Sequence, residues 1–486
     1  MTNRARLSFA ISLPQLWLGL AVALPALGAL IVPLSATDLA YHLRAGSEIL
    51  RTGAIPAADT WTFTATGLEW VNQQWGAQVI LALKYEVGGW AALALVRAGL
   101  VGLIFGLLAY AITRRNPGLP EPTVALLVLA AFIVAAPALA LRPQLLGIAL
   151  FALTLALIAD RGRHRRRLWL IPLLVIAWAN IHGSFVLAPV LLGLAWLEDL
   201  HERVPRAWMT LAVAIVAGLA AAVNPEGLAV WAYAAGLSLD PAVTGRITEW
   251  LPLTLRDGPG VLFWGSVAVV VALVARRRAT TPWPALLMLG SFAFLAAYAA
   301  RGLAWWPLVA AVVAAGLLSV PPPRSREPRR SVLNTAIIVA VLGVALLATP
   351  AWRATDPATG APEGGLTEAP SGITAALREI AVPGDRLWNP QPWGSWFEFA
   401  LPGLPVAVDS RIELFPADVW ADVDAVRGAR SDWAAILESY GVTIVVTEEG
   451  ADAVLVSALA ADPTWRTFVS HPDGTIWVQA DRPLAP

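Results

Sequence analysis

The chain of 486 residues contains no cysteine, three methionines, five histidines and only 14% charged residues. The absence of cysteine excludes disulfides, thiolate nucleophiles and Cys-ligated zinc or iron–sulfur centres, whichever side of a membrane a loop faces. The histidines, at positions 42, 164, 182, 201 and 471, are too scattered for a His-rich metal cage. Lys plus Arg (34) equal Asp plus Glu (34). No net charge draws the protein to nucleic acid, and no nucleic-acid partner is expected. Phosphate-loop, dinucleotide-binding glycine and HExxH motifs are all missing, which argues against a nucleotide-driven pump.

What is abundant is apolar sequence, at 57% hydrophobic residues with a mean hydropathy of +0.64. Soluble domains carry roughly 45–50% apolar and about 25% charged residues, so this composition belongs in a bilayer. About eleven apolar runs, from 11–33 to 332–348, approach the length of roughly 20 residues that crosses hydrocarbon. The first run is too long for a signal-peptide core and reads as a retained anchor. Arginines alternate in density from one connection to the next. Six segments (Arg4 and Arg6, Arg114 and Arg115, Arg161 to Arg167, Arg203 and Arg206, Arg276 to Arg278, Arg324 to Arg330) hold 18 of the 34 basic residues. The loops between them hold six. The positive-inside rule then predicts a cytoplasmic N-terminus and an extracytoplasmic C-terminus, and by itself accounts for the run RGRHRRR.

Beyond residue 350 the composition shifts, with 19 of the 34 acidic residues there. The expected organisation is a helical membrane module over 1–349 with long outer loops at 34–77 and 223–259, a Pro/Gly-rich linker over 350–370 and an extracytoplasmic α/β domain over 371–486. In that domain RLWN, PVAVDS and TIVVTEE read as strands, DWAAILESYG and ADAVLVSALA as helices, and WRTFVS with TIWVQA as a hairpin.

Polar residues at the rim of an apolar bundle are costly, so their placement is informative. In the first outer loop Asp38 lies just past the first span, where a carboxylate suits a general base. His42 follows one helical turn later on the same face, and Asp59 comes after the helix-breaking IPAA. Either acid also suits a helix cap. Later segments add Arg142 before Pro143, Asn180 and His182 in WANIHGSF, Glu249 in ITEWLP, and Arg301 in AARGLAWW. Singly, each reads as an interfacial or bundle residue. Together the Arg and His side chains suit a phosphate.

The order of these segments carries a resemblance. A first span followed by D-x-x-x-H-L-x-x-G, G-x-I-P-x-x-D and W-x-x-x-x-W, then LRPQLL, WANIHGSF, VNPEG with ITEWLP, and PWGSWFEFALPGLPVAVDSRIELF, resembles the GT-C superfamily of polytopic bacterial membrane glycosyltransferases over almost the whole chain. The resemblance implies a mostly α-helical polytopic protein of the bacterial cytoplasmic membrane. It implies transfer of a sugar from a polyprenyl-phosphate donor to a glycan, lipid or protein acceptor outside, with Asp38 as the functional carboxylate and Asp59 as a second acidic position. The second outer loop departs from the oligosaccharyltransferase pattern by offering Arg142 without an acidic pair. No cofactor is required by the sequence, and a divalent metal has no support from it.

On this reading Arg142, His182 and Arg301 meet the departing phosphate, and Asn180 and Glu249 join the substrate site. His42 and Asp59 orient acceptor or sugar, and Trp393, Trp396, Asp409 and Arg411 help cap the site from loops of the C-terminal domain. Two competing classes remain. A transporter or flippase of a lipid-linked or anionic substrate is favoured by Arg97 within the second span. A non-catalytic envelope assembly protein predicts no dependence on Asp38.

Overall fold

The computed structural model describes residues 10–240, 244–318 and 329–482. Arg4, Arg6, Arg324 and Arg326, used in the sidedness argument, lie outside the described residues. The chain divides into two compact units, one built from 1–32 with 94–349 and the other from 33–93 with 350–486. This division departs from the expected 1–349, 350–370 and 371–486. The first outer loop folds with the C-terminal part, because its helix and buried side chains find their partners there.

The first unit is helical. Every apolar run coincides with a helix, but only five helices among the described residues are long and apolar enough to cross a membrane: Leu13–Ile31, Trp75–Arg115 (two helices joined at a kink at Gly88 and Gly89), Glu121–Ala138, Gly183–His201 and Gly258–Arg276. A sixth is counted if Pro143–Ala159 and Arg161–Ala179, bent by 62°, form one broken span. The protein is therefore multi-pass, and among the described residues fewer than eleven helices have full crossing length. Trp208–Ala220, Trp283–Tyr298, Trp306–Leu318 and Val332–Ala348 are shorter. At about 1.5 Å per residue they reach roughly 20 to 25 Å, against about 30 Å of hydrocarbon. Local breakers set those lengths: Pro282 precedes Trp283–Tyr298 and extended Ala299 ends it, and a 3₁₀ turn, Ala300–Ala304, comes before Trp306.

Leu13–Ile31 opens with a capping box. Gln15 N–H donates to Ser12 Oγ at 3.4 Å, and Gln15 Oε1 accepts from Ser12 N–H at 2.8 Å. Ile11 and Ser12 pair with Ser331 and Arg330, so Val332–Ala348 starts beside the first helix. Arg161 is buried at the bend between Pro143–Ala159 and Arg161–Ala179, bonding Glu198 at 2.7 Å and Asp199 at 2.9 Å. Arg115 also reaches Glu198, and Thr210 donates to Asp199 at 2.7 Å. Part of the basic run thus pins the bend, a role beyond the sidedness that was expected to explain it fully.

In the second unit a four-stranded sheet runs in the order Leu387–Trp388, Ile444–Glu448, Gly474–Gln479, Trp465–His471, its first pair parallel and the rest antiparallel. Trp388, Leu437, Val445, Leu459 and Trp477 form its core. Two expectations change. PVAVDS forms no strand, because Val406 makes only isolated bridges to Thr62 and Leu387. PWGSWFEFA is a helix, Gln391–Ala400, that buries Trp393 and Trp396, so neither lies on a loop. That helix packs along Ala36–Thr52 of the first outer loop.

Candidate active site

Chemistry-bearing side chains gather in each unit. In the second, the helix Ala36–Thr52 carries Asp38 in its first turn and ends at Gly53, whose φ of 70° closes it through a 2.8 Å bond to Ile49 O. Ser410 Oγ donates to Thr37 O at 2.9 Å and accepts from Ser395 Oγ at 2.8 Å, so the VDSR segment holds the turn that bears Asp38. Asp38 is half-buried and His42 is buried. Gln78 Nε2 lies 3.4 Å from His42 Nδ1, and Gln78 and Asn72 exchange two amide bonds of 2.7 Å. This orientation leaves Nδ1 as acceptor and puts the imidazole proton on Nε2. Tyr41 packs its ring 3.9 Å from that of His42. Burial first, then the carboxylates of Asp38, Glu413 and Asp409, holds its phenol well above the usual tyrosine range.

Asp59, expected to face substrate, has no exposed side-chain surface. It accepts from Thr62 N at 3.0 Å and Thr62 Oγ1 at 2.7 Å, which folds the loop back, and from Arg411 Nη2 at 2.7 Å. Arg411 also bonds Asp409 through Nε at 2.8 Å and reaches Glu398 at 3.4 Å. Its guanidinium carbon lies 4.4 Å from the Trp61 ring and 4.6 Å from that of Trp70. Burial opposes the Arg411 charge, and Asp409, Glu398 and Asp59 more than offset this, raising its basicity. Burial, followed by repulsion from Asp409, pushes the Glu398 carboxyl well above its ordinary range. Asp59 is therefore a buried pin and not a group that meets acceptor or sugar. Among the described residues no group of three or more His, Asp or Glu is arranged for a metal. The acidic side chains of Asp59, Glu398 and Asp409 close instead on the chain's own guanidinium.

In the first unit the structure joins three of the predicted residues. Arg142, extended as the residue before Pro143 must be, reaches Glu249 through Nη2. Arg301 Nε donates to the other Glu249 oxygen at 3.1 Å, and its guanidinium lies 4.9 Å from the Trp250 ring. A backbone bond of 3.0 Å from Ala300 N to Leu251 O ties the two segments. His182 caps the following turn, and Asn180 ties the end of its helix to a later segment. Asn180 Nδ2 donates to Ile176 O and Val223 O, each at 2.8 Å, and His182 Nδ1 accepts from Ser184 N at 3.1 Å. An apolar groove of about 490 Å³ runs between Glu121–Ala135, Gly258–Arg276 and Trp306–Leu318, lined by Leu127, Val134, Val261, Val269 and Pro307. A second, of about 660 Å³, is lined by Val22, Leu27, Gly102, Leu103 and Leu342.

Sequence reasoning missed Asn72, Gln78 and Glu398. The amide of Asn72 between two tryptophans, that of Gln78 three residues after the second, and a single acid inside the apolar FEFA were the signals available.

No family model matches the chain, and neither does any curated protein. Solved structures do. The archaeal oligosaccharyltransferase AglB from Archaeoglobus fulgidus, in complex with an inhibitory peptide and a dolichol-phosphate, aligns with a TM-score of 0.58 at 12% identity, over 96% of this chain and 75% of that one. ArnT from Cupriavidus metallidurans, bound to undecaprenyl phosphate, aligns with a TM-score of 0.50 at 16% identity, over 95% of this chain and 97% of that one. At these identities the likeness is one of fold.

Proposed function

We propose that this chain, which has the GT-C fold, is a membrane glycosyltransferase that moves a sugar from a polyprenyl-phosphate donor to an extracytoplasmic acceptor. It would sit in a bacterial cytoplasmic membrane with its N-terminus inside. The observation that carries the reading is the pair of arginines, Arg142 and Arg301, gathered on one carboxylate. Arg301 closely precedes Trp306–Leu318, a wall of the 490 Å³ apolar groove. A prenyl phosphate needs both parts: a greasy channel for its tail and preorganised cations for the charge that develops as the phosphate departs.

In the proposed reaction Asp38 takes the proton from an acceptor hydroxyl. That oxygen attacks the anomeric carbon, the bond from this carbon to the phosphate oxygen breaks with inversion, and the lipid phosphate leaves with the electron pair. His42, with its proton on Nε2, offers a donor on the same helix face as Asp38. His182 would assist the arginines. Arg97 supports the transporter reading less than its position in the sequence suggests, because it donates to Val32 O at the C-terminal end of the first helix, where a cation is favourable.

The test is Asp38→Asn, assayed in membranes supplied with polyprenyl-phosphate sugars. General-base loss should lower transfer by about 10²-fold or more, with expression and unfolding behaviour unchanged. Full activity would remove Asp38 as the base. Mass spectrometry of copurifying lipid separates the classes: a sugar-charged isoprenoid phosphate that loses its sugar on adding acceptor supports transfer, whereas retention of the sugar supports a flippase.

A further inference from the structure

We infer that Glu249 is a specificity-determining residue, a built-in counter-charge that tunes the Arg142–Arg301 pair to a singly charged phosphodiester headgroup and against a diphosphate. This inference rests on the phosphate site proposed above and concerns which phosphate it takes.

The carboxylate is a fixed member of the cluster. One oxygen receives Arg142 and the other receives Arg301 Nε at 3.1 Å. Trp250, its chain neighbour, lies 4.9 Å from the Arg301 guanidinium carbon, and the backbone bond from Ala300 N to Leu251 O holds the segment in register. The side chains remain partly open, at 19% exposed for Arg142, 31% for Glu249 and 33% for Arg301. A ligand can therefore reach them without unfolding the segment.

Headgroups differ in what they bring. A phosphodiester, the form in which a sugar is joined to a prenyl phosphate, carries one negative charge, whereas a phosphomonoester carries nearly two and a diphosphate about three at neutral pH. Each further charge is brought up against the Glu249 carboxylate, and that repulsion grows in proportion to the ligand's charge. Without Glu249 the same two arginines would favour the more highly charged headgroups.

The experiment uses the purified full chain in detergent and three probes sharing one tail: farnesyl methyl phosphate, farnesyl phosphate and farnesyl diphosphate. Dissociation constants are measured by calorimetry for the wild type, Glu249→Gln and Glu249→Asp. Glu249→Gln should tighten binding by about fivefold for the diester and by more than about twentyfold for the diphosphate, with the difference shrinking at high salt. Glu249→Asp, which keeps the charge, should keep the wild-type order of the three probes; this separates charge from loss of a structural contact. Equal constants in wild type and Glu249→Gln, or a gain uniform across the three probes, would overturn the inference and leave the phosphate site standing. Failure of every protein to bind any of the three would overturn the phosphate site itself, and this inference with it.

Discussion

Arg411 shows how a single side chain decides the state of its neighbours. Arg411 bonds both Asp59 and Asp409, while the nearby Arg44, whose guanidinium carbon lies 4.6 Å from the Trp61 ring, donates through Nη1 to the backbone oxygen of Glu398 at 2.8 Å. Burial first, and then Asp409, push the Glu398 carboxyl toward holding its proton. Two substitutions separate these roles. Arg411→Met should destabilise the second unit by about 3–5 kcal/mol, because it strands buried carboxylates. Glu398→Gln, a neutral isostere, should stay within about 1 kcal/mol of wild type. The pH dependence has a definite sign. Glu398 binds its proton more tightly folded than unfolded, so its contribution is complete below the ordinary glutamate range. That contribution is lost as pH rises from that range toward the raised folded value. Urea unfolding followed by tryptophan fluorescence should show stability falling with pH across that window, and a flatter profile in Glu398→Gln. An unchanged profile would mean Glu398 is ionised in the folded protein.

At the scale of elements, the helix Ala36–Thr52 lies against the start of Trp75–Arg115 only because residue 46 is glycine. A Cβ there would stand 2.1 Å from Gln78 O and 2.7 Å from Ala82 Cβ. Gly46→Ala should force the helices apart at a cost of about 1–3 kcal/mol and carry Gln78 away from His42. Faster hydrogen exchange over 36–52 and 75–87 would register it, and wild-type protection would show that the contact is slack. This packing marks where the sequence stopped being readable. The strand Ile444–Glu448, the helices Trp433–Ser439 and Ala453–Ala461 and the terminal hairpin were legible because each is a short apolar-rich run bounded by turn residues. PWGSWFEFA was not, since its aromatic residues suit either period. Its Gly394 also answers to Val408 O, which a Cβ would approach to 1.9 Å, a constraint invisible locally. Asp59 and Arg411 are 352 residues apart in sequence, and no periodicity announces such a pair. Arg142, Glu249 and Arg301 were each recognisable as rim residues, whereas their meeting on one carboxylate depends on how separate helices end.

At the scale of the whole molecule, the arginine distribution makes a claim that helix geometry alone does not test. If connections rich in arginine remain in the cytoplasm, the basic turn at 161–167 faces inward and the C-terminal sheet lies outside, where lipid-linked sugars would be used. The cysteine-free sequence permits a clean measurement, because every thiol signal must come from an introduced residue. Glu449, exposed after the strand Ile444–Glu448, and Arg166, exposed in the basic turn, are suitable positions. Glu449→Cys should react with a membrane-impermeant maleimide added to intact spheroplasts, and Arg166→Cys only after permeabilisation. The opposite pattern would place the sheet in the cytoplasm and require a cytoplasmic acceptor for any transfer reaction. Labelling of both in intact spheroplasts would mean that the basic turn is not retained inside, and the alternation of arginines would then have to be explained by pairing of the kind Arg161 makes with Glu198 and Asp199.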